Sequence, residues 1–300
     1  MKILFCSDGS AQAENAVRFG ALIAAACRAE TSILGIVEKS GQEDALLQSL
    51  RRAQDILKEF QLDAELITKA GRPVPEIVKR TRETPYDLVV IGTVRKGARG
   101  PLSMSARAYK IIESVAPPVL AVTGERAMLR NILLCTGGTP QADATVQFTG
   151  DIARQMGATI RLLHVVAEPP AMYANLIKSE EDTGQLLQSN SILGRSLRHQ
   201  KQLLETMGVP CEILVRHGLV LNELLAELRQ SDYDLVVSGS SPAGDKLRTY
   251  VMGNVTREIV NRAELPVLVV RSETQRRRGV GNLVTHLLHG PKGTSKPRAS

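Results

Sequence analysis

Three segments of this chain occur twice, in the same order. The matching pairs are ILFCSDGSAQAENAV at 3–17 with ILLCTGGTPQADATV at 132–146, YDLVVIG at 86–92 with YDLVVSG at 233–239, and PVLAV at 118–122 with PVLVV at 266–270. The copies lie 129, 147 and 148 residues apart, a period longer than that of a solenoid repeat. The sequence therefore predicts a duplicated domain, with two globular units of ordinary length.

We place the boundaries of the two units at 1–126 and 127–271. Apolar residues make up 43% of the chain, which is enough for two packed cores. The remaining segment, 272–300, differs in composition. Residues 271–300 hold seven Lys or Arg residues and one Glu, and so carry most of the net charge of +7. We interpret this tail as a basic, disordered terminus rather than as an arm that binds nucleic acid or a membrane.

Short β-branched runs alternate with helical patterns in each unit, which indicates βαβ units and a parallel sheet. Strands are predicted at 3–6, 31–37, 64–67, 88–91 and 119–122, and again at 132–135, 159–166, 211–215, 235–238 and 267–270. Ser10 and Thr139 occupy equivalent N-cap positions, and Gly157 is expected to end the helix that begins at Pro140. The predicted fold class is α/β, with two tandem Rossmann-like domains, each a five-stranded parallel sheet flanked by helices.

Several classes of function find no support in the sequence. The longest apolar stretch, 19–27, is far shorter than the roughly 20 residues that cross a bilayer, and the first strand follows Met1 directly, with no leader pattern. The four cysteines form no CxxC pair and have no histidines at metal-ligand spacing. We therefore expect a cytoplasmic protein without a membrane span, a metal site or disulfides.

Ligands of open α/β sheets bind beyond the carboxyl ends of the strands, where the strand order reverses. Two loops of the first unit are predicted to lie there, SDGS at 7–10 and GTVRKGARGPLSMSA at 92–106. Their counterparts in the second unit are TGGT at 136–139 and GSSPAGDKLRTYVMGNVT at 239–256. A binding site in either unit is expected to use these loops.

These motifs resemble those of the universal stress proteins, in their tandem two-domain form. The resemblance covers residues 1–271 and rests on a strand ending in D-x-S, a D-L-[IV]-V-x-G strand, a loop G-x2-G-x9-G-[ST] and a P-V-L-V-V strand. It implies a Rossmann-like unit that holds ATP, with Mg, in the nucleotide-binding members. In those members the aspartate lies near the nucleoside and the glycine loop surrounds the phosphates. Other members lack the glycine loop and bind no ATP.

The first unit keeps only part of this pattern. Asp8, Ser10 and Gly92 match it and form a degenerate candidate site. Arg95 replaces the second loop glycine, and a Ser-Ala pair replaces the closing Gly-Ser pair. A phosphate cradle needs backbone N–H groups that the ligand can approach without an intervening Cβ. We therefore expect this basic loop to be solvated rather than to hold phosphate.

The second unit keeps the complementary part. Its candidate nucleotide-binding residues lie in the loops after its first and fourth strands: Thr136, Gly137, Gly239, Ser240, Ser241, Gly253, Asn254 and Val255. Pro242 stands where the second loop glycine belongs, and Gly137 replaces the nucleoside aspartate. Asn254 can donate an amide hydrogen bond to a phosphate oxygen. We expect this unit to bind phosphate while lacking one contact to adenosine.

We predict a binding or regulatory module, not an enzyme, with at most one weak site for ATP or a related adenine nucleotide. Two alternatives stay open: an ATP-independent stress adaptor whose glycine clusters are only tight turns, and, less favoured, a slow ATP hydrolase. TGGT shares only two glycines with the SGGxD[ST] loop of pyrophosphatase-type ATP enzymes. The histidines form no nucleophile–base arrangement, and His164, inside a predicted strand, is expected to be packed.

The last strand of each unit, at 119–122 and 267–270, is apolar and β-branched, and such an edge must be covered. Because members of the family commonly dimerise through these strands, we expect the two to pair antiparallel within the chain as an intrachain pseudo-dimer. The protein partner is not indicated by the sequence, and nucleic acid is disfavoured as a partner. Matching topologies in the two units would support the duplication, and a single continuous sheet would count against it.

Overall fold

The structure is a computed structural model, and it describes residues 1–41, 43–93, 106–167, 183–240 and 254–271. The strands of the first unit are β1 (Lys2–Ser7), β2 (Glu30–Val37), β3 (Ala64–Ala70), β4 (Leu88–Gly92) and β5 (Val119–Val122). Those of the second unit are β6 (Asn131–Cys135), β7 (Thr159–Ala167), β8 (Cys211–Gly218), β9 (Leu235–Ser240) and β10 (Val267–Arg271). All ten predicted strands are present.

Helices connect these strands in both units. In the first unit they are α1 (Ala11–Ala26), α2 (Glu43–Glu59), α3 (Pro73–Glu83) and α4 (Ala106–Ser114). In the second unit they are α5 (Asp143–Met156), α6 (Thr183–Gln188), α7 (Ile192–Thr206), α8 (Val220–Gln230) and α9 (Asn254–Arg262). Among the described helices, none has the length and apolar character needed to span a bilayer.

The start of α1 and the two ends of α5 can be compared with the capping residues predicted from the sequence. The hydroxyl of Ser10 accepts a hydrogen bond from the backbone N–H of Ala13 at 3.2 Å, and Gly157 ends α5 in the left-handed conformation with φ 63°, so both predictions are confirmed. Thr139 is the N-cap residue predicted, but of a 3₁₀ turn at Pro140–Ala142 rather than of an α-helix, and its side chain makes no capping hydrogen bond. The N–H of Ala142 donates to the Thr139 carbonyl at 3.0 Å, and α5 begins only after this turn.

The ten strands form one sheet in the order β3-β2-β1-β4-β5-β10-β9-β6-β7-β8. Neighbouring strands within a unit are parallel. The junction strands β5 and β10 are antiparallel, with Leu120 opposite Leu268. Read from its outer edge, each unit has the same strand order, so the α/β class with two Rossmann-like units is confirmed.

A continuous sheet was expected to count against duplication, and that expectation was wrong. The β5 and β10 edges meet, so their hydrogen bonds join two five-stranded sheets of equal topology into one. The pairing of the two edge strands does not alter the strand order within either unit. Because that order is the same in both units, it supports duplication. Because the strand direction reverses at the junction, the carboxyl ends of the strands of the two units point to opposite edges of the sheet.

Two apolar layers cover the sheet. Successive side chains of a strand point to opposite faces, so Phe5 belongs to the layer with α1, α2, α5 and α7, while Leu4 belongs to the layer with α3, α4, α8 and α9. Both faces are buried, as expected of parallel strands with continuous apolar runs. Leu120 and Leu268 lie in the same layer, so the core continues across the junction.

The repeated Tyr-Asp pair before the fourth strand of each unit has a structural role. The Asp87 carboxylate accepts from the backbone N–H of Lys2 at 2.8 Å. The Asp234 carboxylate accepts from the backbone N–H groups of Arg130 and Asn131 at 2.7 and 3.0 Å. Each carboxylate ties the start of the fourth strand to that of the first, at the amino ends of the strands and so away from the candidate loops of its own unit.

The junction can be tested by a double-mutant cycle. Leu120→Ala and Leu268→Ala should each lower the free energy of unfolding by about 2–5 kcal/mol, because both side chains are fully buried. Since the two residues are opposite each other, the double variant should show a coupling energy of about 0.5–3 kcal/mol in urea unfolding. Leu57 of α2 is equally buried, and Leu57→Ala should be additive with Leu268→Ala. Additivity of the Leu120 and Leu268 changes would contradict the pairing.

Candidate functional site

A cavity of about 430 Å³ lies at the carboxyl edge of the second unit. It is lined by the ends of β6, β7 and β9 together with residues of α5, α8 and α9. Five of the predicted residues line it: Thr136, Gly137, Gly239, Ser240 and Val255. Strand β6 pairs with β7 on one side and with β9 on the other. The cavity therefore lies where the strand order reverses, the usual position of a ligand in an α/β sheet.

The other predicted residues are placed as follows. Ser241 and Gly253 lie outside the described residues, and Asn254 is the first residue of α9. Arg95 and the tail 272–300 are also outside the described part of the chain. The structure thus brings together the described members of the second-unit set, and their role as nucleotide ligands stays a prediction.

A buried glutamine holds the loop at 136–139. Gln200 of α7 is fully buried, and its side-chain carbonyl accepts from the Thr136 hydroxyl at 2.8 Å. Its amide donates to the Thr139 carbonyl at 3.0 Å and to the Asp143 carboxylate at 3.1 Å. The Thr136 hydroxyl in turn accepts from the N–H of Gly138 at 3.1 Å. These bonds fix the loop conformation without a ligand.

Five buried residues with hydroxyl groups line the cavity: Thr136, Thr145 on α5, Ser238 and Ser240 on β9, and Thr256 on α9. The Ser238 and Thr256 oxygens are 2.8 Å apart, and Thr256 donates to the Gly239 carbonyl at 3.0 Å. The Thr145 hydroxyl has no hydrogen-bond partner within the described residues. A Cβ at Gly239 would lie 3.0 Å from that hydroxyl, so glycine at this position lets β9 approach α5 closely.

His164 on β7 completes the polar lining. Its Nδ1 lies 3.0 Å from the Thr136 carbonyl oxygen. Burial lowers the pKa of the imidazole, while the Thr136 hydrogen bond raises it and His217 lowers it further. A packed side chain is expected from the sequence, whereas the ring is only partly buried and forms part of the cavity wall.

The described residues of the cavity wall include no Asp, Glu, Lys or Arg. Cys135 is part of the wall, and burial raises the pKa of its thiol to about 12, so the thiol is neutral at physiological pH. Helix α9 begins at the cavity, since Val255 and Thr256 of its first turn line it. The first N–H groups of a helix have no partners within the helix, and such an end favours an anion.

No group of three His, Cys, Asp or Glu side chains that could hold a metal ion is found in the described part of the chain. The four cysteines are free thiols.

The first-unit set is arranged differently. Asp8 is exposed, and its carboxylate accepts from the backbone N–H of Ser10 at 3.1 Å, while the Ser10 hydroxyl caps α1. A Cβ at Gly92 would lie 2.4 Å from the carbonyl oxygen of Gln12. That glycine is therefore required where β4 packs against the start of α1. These contacts give all three candidate residues a structural role.

Comparison of the two repeats shows which residues motif reasoning missed. Residues lining or fixing the second-unit cavity replace smaller or apolar ones in the first unit: Thr145 for Ala16, Ser238 for Ile91, Thr256 for Ala108, His164 for Gly35 and Gln200 for Ala53. In the first unit the side chain of Leu50 packs beside Gly35, 2.8 Å from the position of an added Cβ. Aligning the repeats through their helices, and not only through their glycines, would have identified this polar set.

Known proteins share this architecture. The fold defines a tandem pair of Rossmann-like α/β units, and a model of the universal stress protein family matches residues 1–123 and 128–271. The chain belongs to the universal stress protein family, which confirms the family predicted from its motifs.

Individual relatives are distant in sequence. A universal stress protein of Methanocaldococcus jannaschii is 24% identical over 144 residues, which are 48% of this chain and 83% of that protein. A solved universal stress protein from Archaeoglobus fulgidus matches 90% of this chain and 98% of its own, with a TM-score of 0.66 and 15% identity. For a putative universal stress protein from Pseudomonas aeruginosa the coverage is 90% and 92%, with a TM-score of 0.63 and 15% identity. These solved structures show a common fold.

The role of Gln200 can be tested by Gln200→Leu. The change should lower the free energy of unfolding by about 1–3 kcal/mol, because the buried Thr136 hydroxyl loses its partner. It should also speed hydrogen exchange at the Gly138 N–H. Gln202 lies exposed on the same helix, and Gln202→Leu should change stability by less than about 0.5 kcal/mol. Equal stability and exchange in the two variants would show that the network does not hold the loop.

Proposed function

We propose that this universal stress protein works by binding rather than by catalysis, with one weak site for ATP or a related adenine nucleotide in its second unit. The observation that carries the proposal is the cavity of about 430 Å³ at the strand-order reversal, lined by five residues of the predicted set. Cavities of this size are typical of small-molecule sites. We keep the unit boundaries at 1–126 and 127–271, with the basic tail 272–300 outside both.

The phosphates would lie at the start of α9. Val255 and Thr256 line the cavity there, and a helix N-terminus favours negative charge. Thr145 supplies a further donor, because its hydroxyl has no partner among the described residues. Ser241, Gly253 and Asn254 complete the proposed phosphate loop on sequence grounds. Mg²⁺ would reach the site on the phosphate oxygens, with water, and would neutralise part of their charge.

The nucleoside would lie near Gly137. The family pattern has an aspartate at this position, as the first unit does at Asp8. A Cβ at Gly137 would have nothing within 4 Å, so the space for such a side chain is open. A hydrogen bond to a charged group contributes about 1.5–3 kcal/mol. The absence of that carboxylate is the reason for proposing weak binding.

We propose no nucleotide site in the first unit, since Ser10 and Gly92 serve the packing and capping of α1. If the second unit also binds no nucleotide, the protein is an ATP-independent adaptor with an unidentified protein partner. The pairing of β5 with β10 favours this second candidate, because it gives an intrachain pseudo-dimer that resembles two family members fused into one chain.

The proposal is tested by two single substitutions, each of which gives one unit the residue that the other unit has at the equivalent position. Mg-ATP at a hundred times its Kd should stabilise the wild-type protein by about 2.7 kcal/mol in thermal melting. Gly137→Asp places a carboxylate in open space and should tighten ATP binding about tenfold, equivalent to about 1.4 kcal/mol, in isothermal titration calorimetry. The matched control is Asp8→Gly, the reverse exchange in the first unit, which should leave the ATP affinity unchanged.

Three results would contradict this assignment. No stabilisation at millimolar Mg-ATP would favour the adaptor. Loss of binding in Asp8→Gly, with no gain in Gly137→Asp, would place the nucleotide in the first unit. Steady release of ADP by the wild-type protein would make it a hydrolase.

A further inference from the structure

The imidazole of His164 has a polar atom that the protein leaves unused. Its Nδ1 is 3.0 Å from the Thr136 carbonyl oxygen, and the ring lines the cavity. Its other nitrogen, Nε2, has no hydrogen-bond partner in the described part of the chain. Nε2 is not among the fully buried polar atoms that lack a partner, so it is open to water in the cavity. A ligand that donates a hydrogen bond to Nε2 would replace that water.

The Thr136 contact determines which nitrogen carries the proton. A carbonyl oxygen can only accept a hydrogen bond, so Nδ1 must be the protonated nitrogen of the neutral ring. Burial lowers the pKa of His164, although the Thr136 hydrogen bond opposes this shift. The ring is therefore neutral at physiological pH, and Nε2 presents a lone pair as an acceptor.

No carboxylate of the described cavity wall is available as an acceptor instead of His164. The described lining residues include no carboxylate, and Gly137 stands where the first unit has Asp8. The first unit has Gly35 in place of His164, with Leu50 packed beside it. The second unit thus lacks the aspartate and has an imidazole acceptor, whereas the first unit has the aspartate and lacks the imidazole.

We propose that His164 is a specificity-determining residue, whose Nε2 accepts a hydrogen bond from an N–H or O–H group of the nucleoside in the second-unit site. This inference rests on the proposed nucleotide-binding function and names the contact that selects the ligand. The donor is either the exocyclic amine of the base or a ribose hydroxyl, and both present the same chemistry to the imidazole.

The contact predicts the sign of a pH effect. Protonation turns Nε2 from an acceptor into a donor, so nucleoside affinity falls as the pH falls through the pKa of His164. A contact between His164 and phosphate would have the opposite sign, because the imidazolium would attract the anion. Adenosine separates the two cases, since it carries no phosphate.

The pH effects of other titratable groups near His164 must be distinguished from the effect of His164 itself. His217 on β8 is the group whose charge acts on it, and Cys135 at the end of β6 stays neutral. On the neighbouring helices, Asp143 of α5 pairs with His199 of α7 at 3.4 Å. Glu223 of α8 pairs with Arg216 of β8 at 3.5 Å. His217→Asn and His199→Asn are therefore the controls for the pH profile.

The experiment is calorimetric titration of the full chain with adenosine at pH 8 and pH 5.5. The wild-type protein should bind more weakly at pH 5.5 than at pH 8, by no more than about tenfold, because the pKa of His164 is lowered and only part of the rings are protonated at pH 5.5. His164→Phe keeps the ring volume and removes both nitrogens, so it should bind about tenfold more weakly at pH 8 and show no pH effect. His164→Gln supplies an amide oxygen and should recover part of the affinity at both pH values. His217→Asn and His199→Asn should retain the wild-type pH effect.

Two further measurements identify the contact. Saturation with adenosine should lower the pKa of His164 followed by NMR at its Cε1 proton, because the ligand binds the neutral ring. Inosine has a carbonyl in place of the exocyclic amine, and weak binding of inosine would identify that amine as the donor. Weak binding of 2′,3′-dideoxyadenosine would identify a ribose hydroxyl.

The outcomes separate this inference from the function on which it rests. If the wild-type protein binds adenosine and folded His164→Phe binds within twofold of it at both pH values, the role of His164 is overturned and the nucleotide site stands. An unchanged pKa of His164 on saturation would overturn the role in the same way. If the wild-type protein binds neither adenosine nor ATP at millimolar concentration, both proposals are overturned.

Discussion

The antiparallel pairing of β5 with β10 is the interaction on which the architecture depends. Each five-stranded unit ends in a short, fully buried apolar strand. An uncovered edge of this kind would present unpaired backbone N–H and C=O groups that recruit other chains. The pairing covers both edges at once and makes the apolar layers continuous from one unit to the other. It also sets the two candidate loop regions at opposite edges of a single sheet.

Different side chains hold the loop after the first strand of each unit. In the first unit, α2 lies close to the loop after β1, since a Cβ at Gly9 would be 2.7 Å from the Ser49 hydroxyl. Leu50 of the same helix packs beside Gly35. In the second unit the equivalent helix, α7, instead contributes Gln200, which hydrogen-bonds the loop. The topology is common to both units, so the differences between these described residues lie in side-chain volume and polarity.

The sequence contained most of the fold and only part of the site. The strands could be predicted because their apolar runs occur twice and because right-handed βαβ units allow few arrangements. Thr136 and Gly239 could be predicted as neighbours, since the carboxyl ends of adjacent parallel strands meet at one edge. An alignment of the repeats could mark Gln200 and Thr145 as polar exchanges but could not place them at the cavity, because the reach of a helical side chain depends on how its helix docks on the sheet. The prediction that Thr139 caps an α-helix was wrong because proline fits the start of a 3₁₀ turn as well as that of an α-helix.

The reversal of strand direction at the junction puts the carboxyl ends of the two units at opposite edges of the sheet, as it would in two identical, symmetrically paired subunits, and the different sequences of the two units make these edges unlike. The carboxyl edge of the first unit carries the exposed carboxylate of Asp8. The carboxyl edge of the second unit carries the cavity, in which hydroxyl groups lie with His164. Duplication has thus produced a single fold with two chemically different ends, and the difference arises from exchanged side chains together with the 3₁₀ turn at Pro140–Ala142 and the additional helix α6 of the second unit.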